Sequence, residues 1–163
     1  MLDAVPELDI CEAAAVGADE RLQQLLGEDA GAAARLSPDG FTPLHLASFF
    51  GHEQAARLLV AGGADANVAA DNRSRVLPLH SAAAGGHTEI GELLLDAGAA
   101  ADEKQEGGFT PLHAAAHSGN LKLVELLLQH GADPRRAADD GRTAVDMAAE
   151  GGHEEVLDRL RAE

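Results

Sequence analysis

Apolar and polar positions alternate along this chain in a pattern that predicts pairs of short helices joined by polar loops. Runs of leucine return at residues 58–59, 93–95 and 126–128, and each run is soon followed by a glycine. Glycine adopts the left-handed backbone conformation that ends many helices, so each run predicts the end of a helix. Another apolar segment precedes each run and also ends at a glycine. The pattern therefore predicts a repeated unit of helix, turn, second helix and long loop.

The same residues recur at nearly constant spacing, which is typical of repeat proteins. Pro43, Pro78, Pro111 and Ala144 lie 35, 33 and 33 residues apart. Each proline suits the first position of a helix, where its missing N–H costs nothing. The threonine before two of these prolines suits the N-cap position. Two series of glycines keep the same spacing: Gly51, Gly86, Gly119 and Gly152, and then Gly63, Gly98 and Gly131.

The motif Thr-Pro-Leu-His-x-Ala stands at residues 42–47 and again at residues 110–115. With this motif and spacing, the chain resembles the ankyrin-repeat proteins from about residue 6 to residue 161. The resemblance implies an all-α ankyrin-repeat solenoid of helix-turn-helix-loop units, about five in number including two caps. We expect one stand-alone domain over residues 1–163, with these units: 6–36 (N-terminal cap), 37–70, 71–104, 105–137 and 138–163 (C-terminal cap).

The unit expected at residues 71–104 departs from the repeat in three ways. It contains two extra residues, Leu77 replaces the capping threonine, and Gly91 lies inside the second helix. A lost cap and a glycine inside a helix each destabilise a helix by about 1 kcal/mol. We therefore expect this unit to be the least stable of the series.

Composition and charge narrow the possible partners. Aromatic residues make up only 2% of the chain, so the core must consist of aliphatic side chains. The net charge of −16 would repel nucleic acids and anionic membranes, and it would attract a basic protein. The single cysteine, Cys11, excludes an internal disulfide and fits a reducing compartment. We interpret Cys11 as a small buried hydrophobe rather than a nucleophile.

The same sequence features lead us to expect a cytoplasmic protein. The first residues contain no basic region and no long apolar run, so they do not predict a secretory signal. No apolar run elsewhere is long enough to predict a membrane span. The abundance of alanine, glycine and arginine indicates a GC-rich, bacterial source.

Eight histidines raise the possibility of a metal site or a catalytic site. His113 and His117 are four residues apart, so both can face one side of a helix and bind a metal ion. No third ligand of the histidine or cysteine type lies near them in the sequence. A metal-dependent enzyme that uses this pair therefore remains only an alternative, and we expect no catalytic, metal or cofactor site.

The four phenylalanines are the most specific feature of the sequence. The resemblance implies a concave face that consists of the loop tips and the first helix of each unit, where partners bind. All four phenylalanines map to that face. Because a helix turns 100° per residue, at least one of Phe49 and Phe50 must be exposed. Phe41 and Phe109 have an alternative role, in which each lies across a neighbouring loop and adds only stability. The expected partner-binding residues are Asp39, Phe41, Phe49, Phe50, Val76, Phe109, His117 and Arg142.

These observations predict a monomeric, non-enzymatic module that binds a protein partner on its concave face. One alternative is a cytoplasmic inhibitor of a basic partner, such as an immunity protein against a basic toxin. Another is self-association through Phe49 and Phe50. Neither nucleic acid nor membrane is an expected partner.

Overall fold

The computed structural model describes residues 7–163, which form an all-α solenoid with no β-strand in that range. Residues 1–6 lie outside the described range. The expected start of the first unit at residue 6 falls there, and so do the first residues of the segment in which we expected no secretory signal. The first helices of the pairs are Ile10–Val16 (α1), Pro43–Phe50 (α3), Pro78–Gly85 (α5), Pro111–His117 (α7) and Ala144–Gly151 (α9). The second helices are Asp19–Glu28 (α2), Glu53–Ala61 (α4), Thr88–Asp96 (α6), Leu121–Gln129 (α8) and Glu154–Arg161 (α10). The predicted fold class is confirmed.

Local signals set the ends of these helices. In α3, the Thr42 hydroxyl oxygen accepts a hydrogen bond from the backbone N–H of His45, and Pro43 occupies the first helical position. The helix ends at Gly51, whose φ of 81° lies in the left-handed region. Helix α5 lacks such a cap, because Leu77 has no hydroxyl and makes no side-chain cap bond. This absence agrees with the weaker helix start that the sequence predicts.

The helices stack in two layers along the solenoid. Each first helix packs against the next first helix, from α1 to α9, and each second helix packs against the next second helix, from α2 to α10. Alanines in the first helices let the layers approach closely, and leucines fill the space between them. The most deeply buried leucines are Leu22, Leu44, Leu59, Leu79, Leu94, Leu112, Leu123 and Leu127. Each contributes about 1.5–3 kcal/mol relative to an exposed leucine.

A row of backbone hairpins joins consecutive helix pairs. Three hairpins close in the same way, with the N–H of Ser37, Gln105 and Ala138 donating to the carbonyl oxygen of Phe41, Phe109 and Arg142, respectively. The remaining hairpin closes from the N–H of Ala70 to the carbonyl oxygen of Val76, at 2.8 Å. It is two residues longer than the others, so the two extra residues of the 71–104 segment lie at its tip.

Three buried histidines connect each hairpin to the next. In His113, Nδ1 lies 3.0 Å from the backbone nitrogen of Thr110, and Nε2 lies 3.1 Å from the carbonyl oxygen of Arg142. An amide can only donate and a carbonyl can only accept, so the ring is neutral and carries its proton on Nε2. His45 and His80 make the equivalent bonds to Val76 and Phe109. Burial lowers the pKa of all three rings, and that of His80 falls to about 4.

Gly91 has a packing role that the sequence does not reveal. It is buried in α6, and a Cβ atom built on it would lie 2.6 Å from Cδ1 of Leu123 in the neighbouring helix α8. The glycine therefore lets α6 and α8 approach closely, which compensates for its low helix propensity.

Candidate functional site

A groove of about 460 Å³ opens between the hairpin tips and the first helices α3 and α5. We call it the aromatic groove. It contains five of the eight residues predicted to bind a partner. Its lining residues are Asp39, Phe41, His45, Leu46, Phe49, Phe50, Ser74, Val76, His80, Ser81, Ala84 and Gln105.

Phe49 and Phe50 form the most exposed part of the aromatic groove. Their side chains are 51% and 53% exposed, and their rings meet edge to face with centroids 5.2 Å apart. The end of α3 is held in place because Nε2 of His87 lies 3.0 Å from the carbonyl oxygen of Phe49. Two large apolar rings are therefore presented to solvent by a rigid helix end.

The opposite wall of the aromatic groove is open because its side chains are small. Leu46 and Phe49 of α3 correspond to Ser81 and Ala84 of α5 in the repeat. The serine hydroxyl and the alanine methyl group leave space that a leucine and a phenylalanine would fill. The difference between two successive repeats therefore creates the groove.

Phe41 and Phe109 have a different environment from the exposed pair. Both are half-buried, and each ring packs against the imidazole of the histidine four residues further on. The ring centroids are 5.9 Å apart for Phe41 and His45 and 5.7 Å apart for Phe109 and His113. Phe41 still borders the aromatic groove, whereas Phe109 is covered by the guanidinium of Arg142, which lies 5.4 Å from its ring centroid. The alternative role of stabilising a neighbouring loop therefore describes Phe109 better.

Arg142 is held by two carboxylates at the C-terminal end of the solenoid. Its guanidinium lies 2.8 Å from Asp140 and 3.0 Å from Glu150. The backbone N–H and the side chain of Arg142 lower the pKa of Asp140, and the bond to Asp140 raises the pKa of Arg142. The nearby His117 is exposed, and its carbonyl oxygen lies 2.9 Å from Nε2 of His153. Phe109, His117 and Arg142 thus lie outside the aromatic groove.

Val16 is a further exposed apolar residue that the sequence interpretation missed. It precedes the left-handed Gly17 at the end of α1, as Phe50 precedes Gly51 at the end of α3. Its side chain is 60% exposed. The correspondence of Val16 with Phe50 is visible in the sequence, because each directly precedes the glycine that ends the first helix of its pair.

The described residues do not support the metal site or a reactive cysteine. Both ring nitrogens of His113 are occupied by hydrogen bonds, so the ring has no free lone pair for a metal. Residues 7–163 contain no cluster of three or more metal-ligating side chains. Burial and the nearby Asp9 and Glu12 raise the pKa of Cys11 to about 11, which keeps it a thiol at neutral pH.

The described helices also bear on membrane insertion. None of the helices between residues 7 and 163 is long and apolar enough to cross a membrane.

Comparison with known proteins gives one positive finding. The family model described as ankyrin repeats (3 copies) matches residues 10–105 and 79–163 of the chain. A search of curated proteins finds no match.

Proposed function

Because the chain belongs to the ankyrin-repeat family, we propose that it is a non-enzymatic module that binds a protein partner through the aromatic groove on its concave face. Ankyrin repeats generally mediate protein–protein interaction, and the family is typically non-enzymatic. The family match includes the helices that form the groove, which supports the proposal that this part of the molecule binds a partner.

The exposed pair Phe49 and Phe50 is the observation that carries this proposal. Aromatic side chains at the centre of an interface often contribute most of the binding energy. The Phe49 and Phe50 rings are about half exposed although the chain contains only four phenylalanines. Burial of their remaining apolar surface would contribute about 25 cal/mol per Å².

We also propose that the protein acts as a monomer in the cytoplasm. A net charge of −16 opposes close approach of a second copy. The single cysteine is a buried thiol, as expected for a protein in a reducing compartment.

A pull-down from lysate of the source organism tests the proposal. The native protein and the variant Phe49→Ser/Phe50→Ser serve as baits, and Leu36→Ser is the matched control because Leu36 is also exposed but lies outside the aromatic groove. Circular dichroism checks that all three fold. We expect a protein captured by the native bait and the Leu36 variant to be lost from the double variant. Equal capture by all three baits would contradict the proposed site.

A further inference from the structure

We infer that the partner segment is amphipathic along its length, with apolar side chains over the aromatic groove and basic side chains over the last two helix pairs. This inference rests on the proposed function and names the chemistry of the partner. It follows from a change in surface character along the solenoid.

The ends of the first helices change from apolar to polar along the stack. Val16 and Phe50 are the residues before the left-handed glycines of the first two pairs. At that position the third, fourth and fifth pairs have Gly85, Ser118 and Gly151. One position earlier, where the second pair has Phe49, the third pair has the small Ala84. At that same earlier position the fourth and fifth pairs have His117 and Glu150, which are both exposed. Apolar contact is therefore available only over the first three pairs.

The hairpin tips beside the aromatic groove carry balanced charge. Asp39 and Asp71 are matched there by Arg73 and Arg75 on the longer hairpin, and all four residues are exposed. A partner segment over the groove therefore meets no strong net field, which suits an apolar side chain.

The tips and helix ends of the last two pairs are negative. This region has four exposed carboxylates and one guanidinium, that of Arg142, so its net charge is −3. The carboxylates are those of Glu106, Asp139, Asp140 and Glu150. The opposite charges of the exposed Glu103 and Lys104, which precede the Gln105–Phe109 hairpin, cancel. Asp140 and Glu150 already pair with Arg142. Glu106 and Asp139 make no ion pair with any residue of the described range, so they are available to a basic partner.

A second copy of this chain fits the negative half poorly, because its net charge is −16 and its exposed Arg73 and Arg75 are balanced by Asp39 and Asp71. The only two basic residues that are neighbours in the sequence are Arg135 and Arg136. They form ion pairs with Asp133 and Asp102, respectively. Nucleic acid is polyanionic, and the negative half of the face would repel it. A polypeptide with an apolar part and a basic part matches both halves.

Selection of random-sequence peptides on the immobilised full chain tests this inference. Enriched peptides are synthesised with a fluorescent label, and their dissociation constants are measured by anisotropy at low and at physiological salt. We expect the enriched sequences to combine an apolar cluster with a cluster of lysine or arginine at one end. We expect affinity to fall by at least about tenfold as salt rises, because screening weakens exposed charge pairs.

Two variants separate the halves of the site. Phe49→Ser/Phe50→Ser should weaken binding by about tenfold or more. Glu106→Gln/Asp139→Asn should weaken it by about three- to tenfold and reduce the salt dependence. The matched control Glu92→Gln/Asp96→Asn removes the same charge from exposed positions at the second helix α6 and should bind as the native chain does. Replacing a peptide lysine by glutamine should also weaken binding. Its effect on the dissociation constant should be non-additive with that of Glu106→Gln/Asp139→Asn and additive with those of the other two variants.

The outcomes distinguish this inference from the proposed function. If binding depends on Phe49 and Phe50 but the selected peptides show no basic preference, the proposed function stands and the inference is wrong. The inference is also wrong if the control variant weakens binding as much as Glu106→Gln/Asp139→Asn. If no peptide that depends on the phenylalanine pair is enriched, both are wrong.

Discussion

At the scale of single residues, the most informative positions are those where the chain breaks its own repeat. Arg75 is one of them. In the three shorter hairpins, the residue before the one whose carbonyl closes the hairpin is a glycine with φ between 76° and 86°. These glycines are Gly40, Gly108 and Gly141. The longer hairpin has Arg75 there, and its φ is 47°. A residue with a Cβ atom is strained in this region by about 1–2 kcal/mol.

We therefore expect Arg75→Gly to raise the free energy of unfolding. Relief of backbone strain exceeds the extra entropy that glycine gives to the unfolded chain, and we expect a gain of about 0.5–1 kcal/mol. Urea unfolding followed by circular dichroism measures this change. Arg73→Gly is the matched control, because it removes the same charge two residues away at a position without a positive φ. A lower stability for Arg75→Gly than for the control would refute the strain argument.

His80 makes the stability dependent on pH. Its pKa is lowered by burial from 6.5 to about 4, so the unfolded chain binds a proton more readily than the folded chain does. The stabilisation is complete above pH 6.5 and is lost as the pH falls toward 4. We expect about 2 kcal/mol to be lost from this group between pH 7 and pH 5.

A comparison of variants isolates the contribution of His80. Urea unfolding at pH 7 and pH 5 should show that His80→Gln is less stable than the native chain at pH 7 but loses less on acidification. His130→Gln is the control for loss of one exposed histidine. An equal loss in the native chain and in His80→Gln would show that another group controls the acid response.

At the scale of helices, Gly91 shows that close packing between helices can outweigh the low helix propensity of a residue. The sequence predicts that this glycine weakens α6, whereas the structure shows that it admits Leu123 of α8. We expect Gly91→Ala to destabilise the protein by about 1–3 kcal/mol, because the new methyl group overpacks a buried contact.

Gly27→Ala is the matched control for this substitution. Gly27 lies in α2 with no atom near the position of an added Cβ, so alanine there should stabilise by about 0.5–1 kcal/mol. Thermal unfolding of both variants measures the contrast. The packing argument fails if Gly91→Ala is as stabilising as Gly27→Ala.

The helices were predictable from the sequence because their signals are local. Thr42 with Pro43 marks the start of α3, and Gly51 marks its end, within ten residues of chain. Leu77 was likewise recognisable as a missing cap. The contact between Gly91 and Leu123 was not predictable, since it joins helices of different pairs and depends on how closely they stack.

The candidate site was predictable only in part, for the same reason. Exposure of at least one of Phe49 and Phe50 followed from helix geometry, because two adjacent residues cannot both face the core, and the structure exposes both. The covering of Phe109 did not follow from the sequence, since it depends on the placement of Arg142 over the ring. The width of the aromatic groove depends on Ser81 and Ala84 in the next repeat, whose effect appears only when α3 and α5 are stacked.

At the scale of the whole molecule, net charge opposes folding. A charge of −16 on 163 residues repels itself more strongly in the compact state than in the expanded chain. The ion pairs found within residues 7–163 are partly or largely exposed, so each contributes little to the free energy of unfolding. Repulsion should therefore dominate the response to salt.

We expect the urea midpoint to rise when sodium chloride is added to a low-salt buffer. The screening length shrinks from about 30 Å at 0.01 M to about 8 Å at 0.15 M, which removes most long-range repulsion while contact pairs persist. Glu92→Gln/Asp96→Asn, which removes two like charges one helical turn apart on α6, should raise the midpoint at low salt and reduce the effect of salt. A midpoint that falls as salt is added would mean that the surface ion pairs, rather than the net charge, control the electrostatic stability of this solenoid.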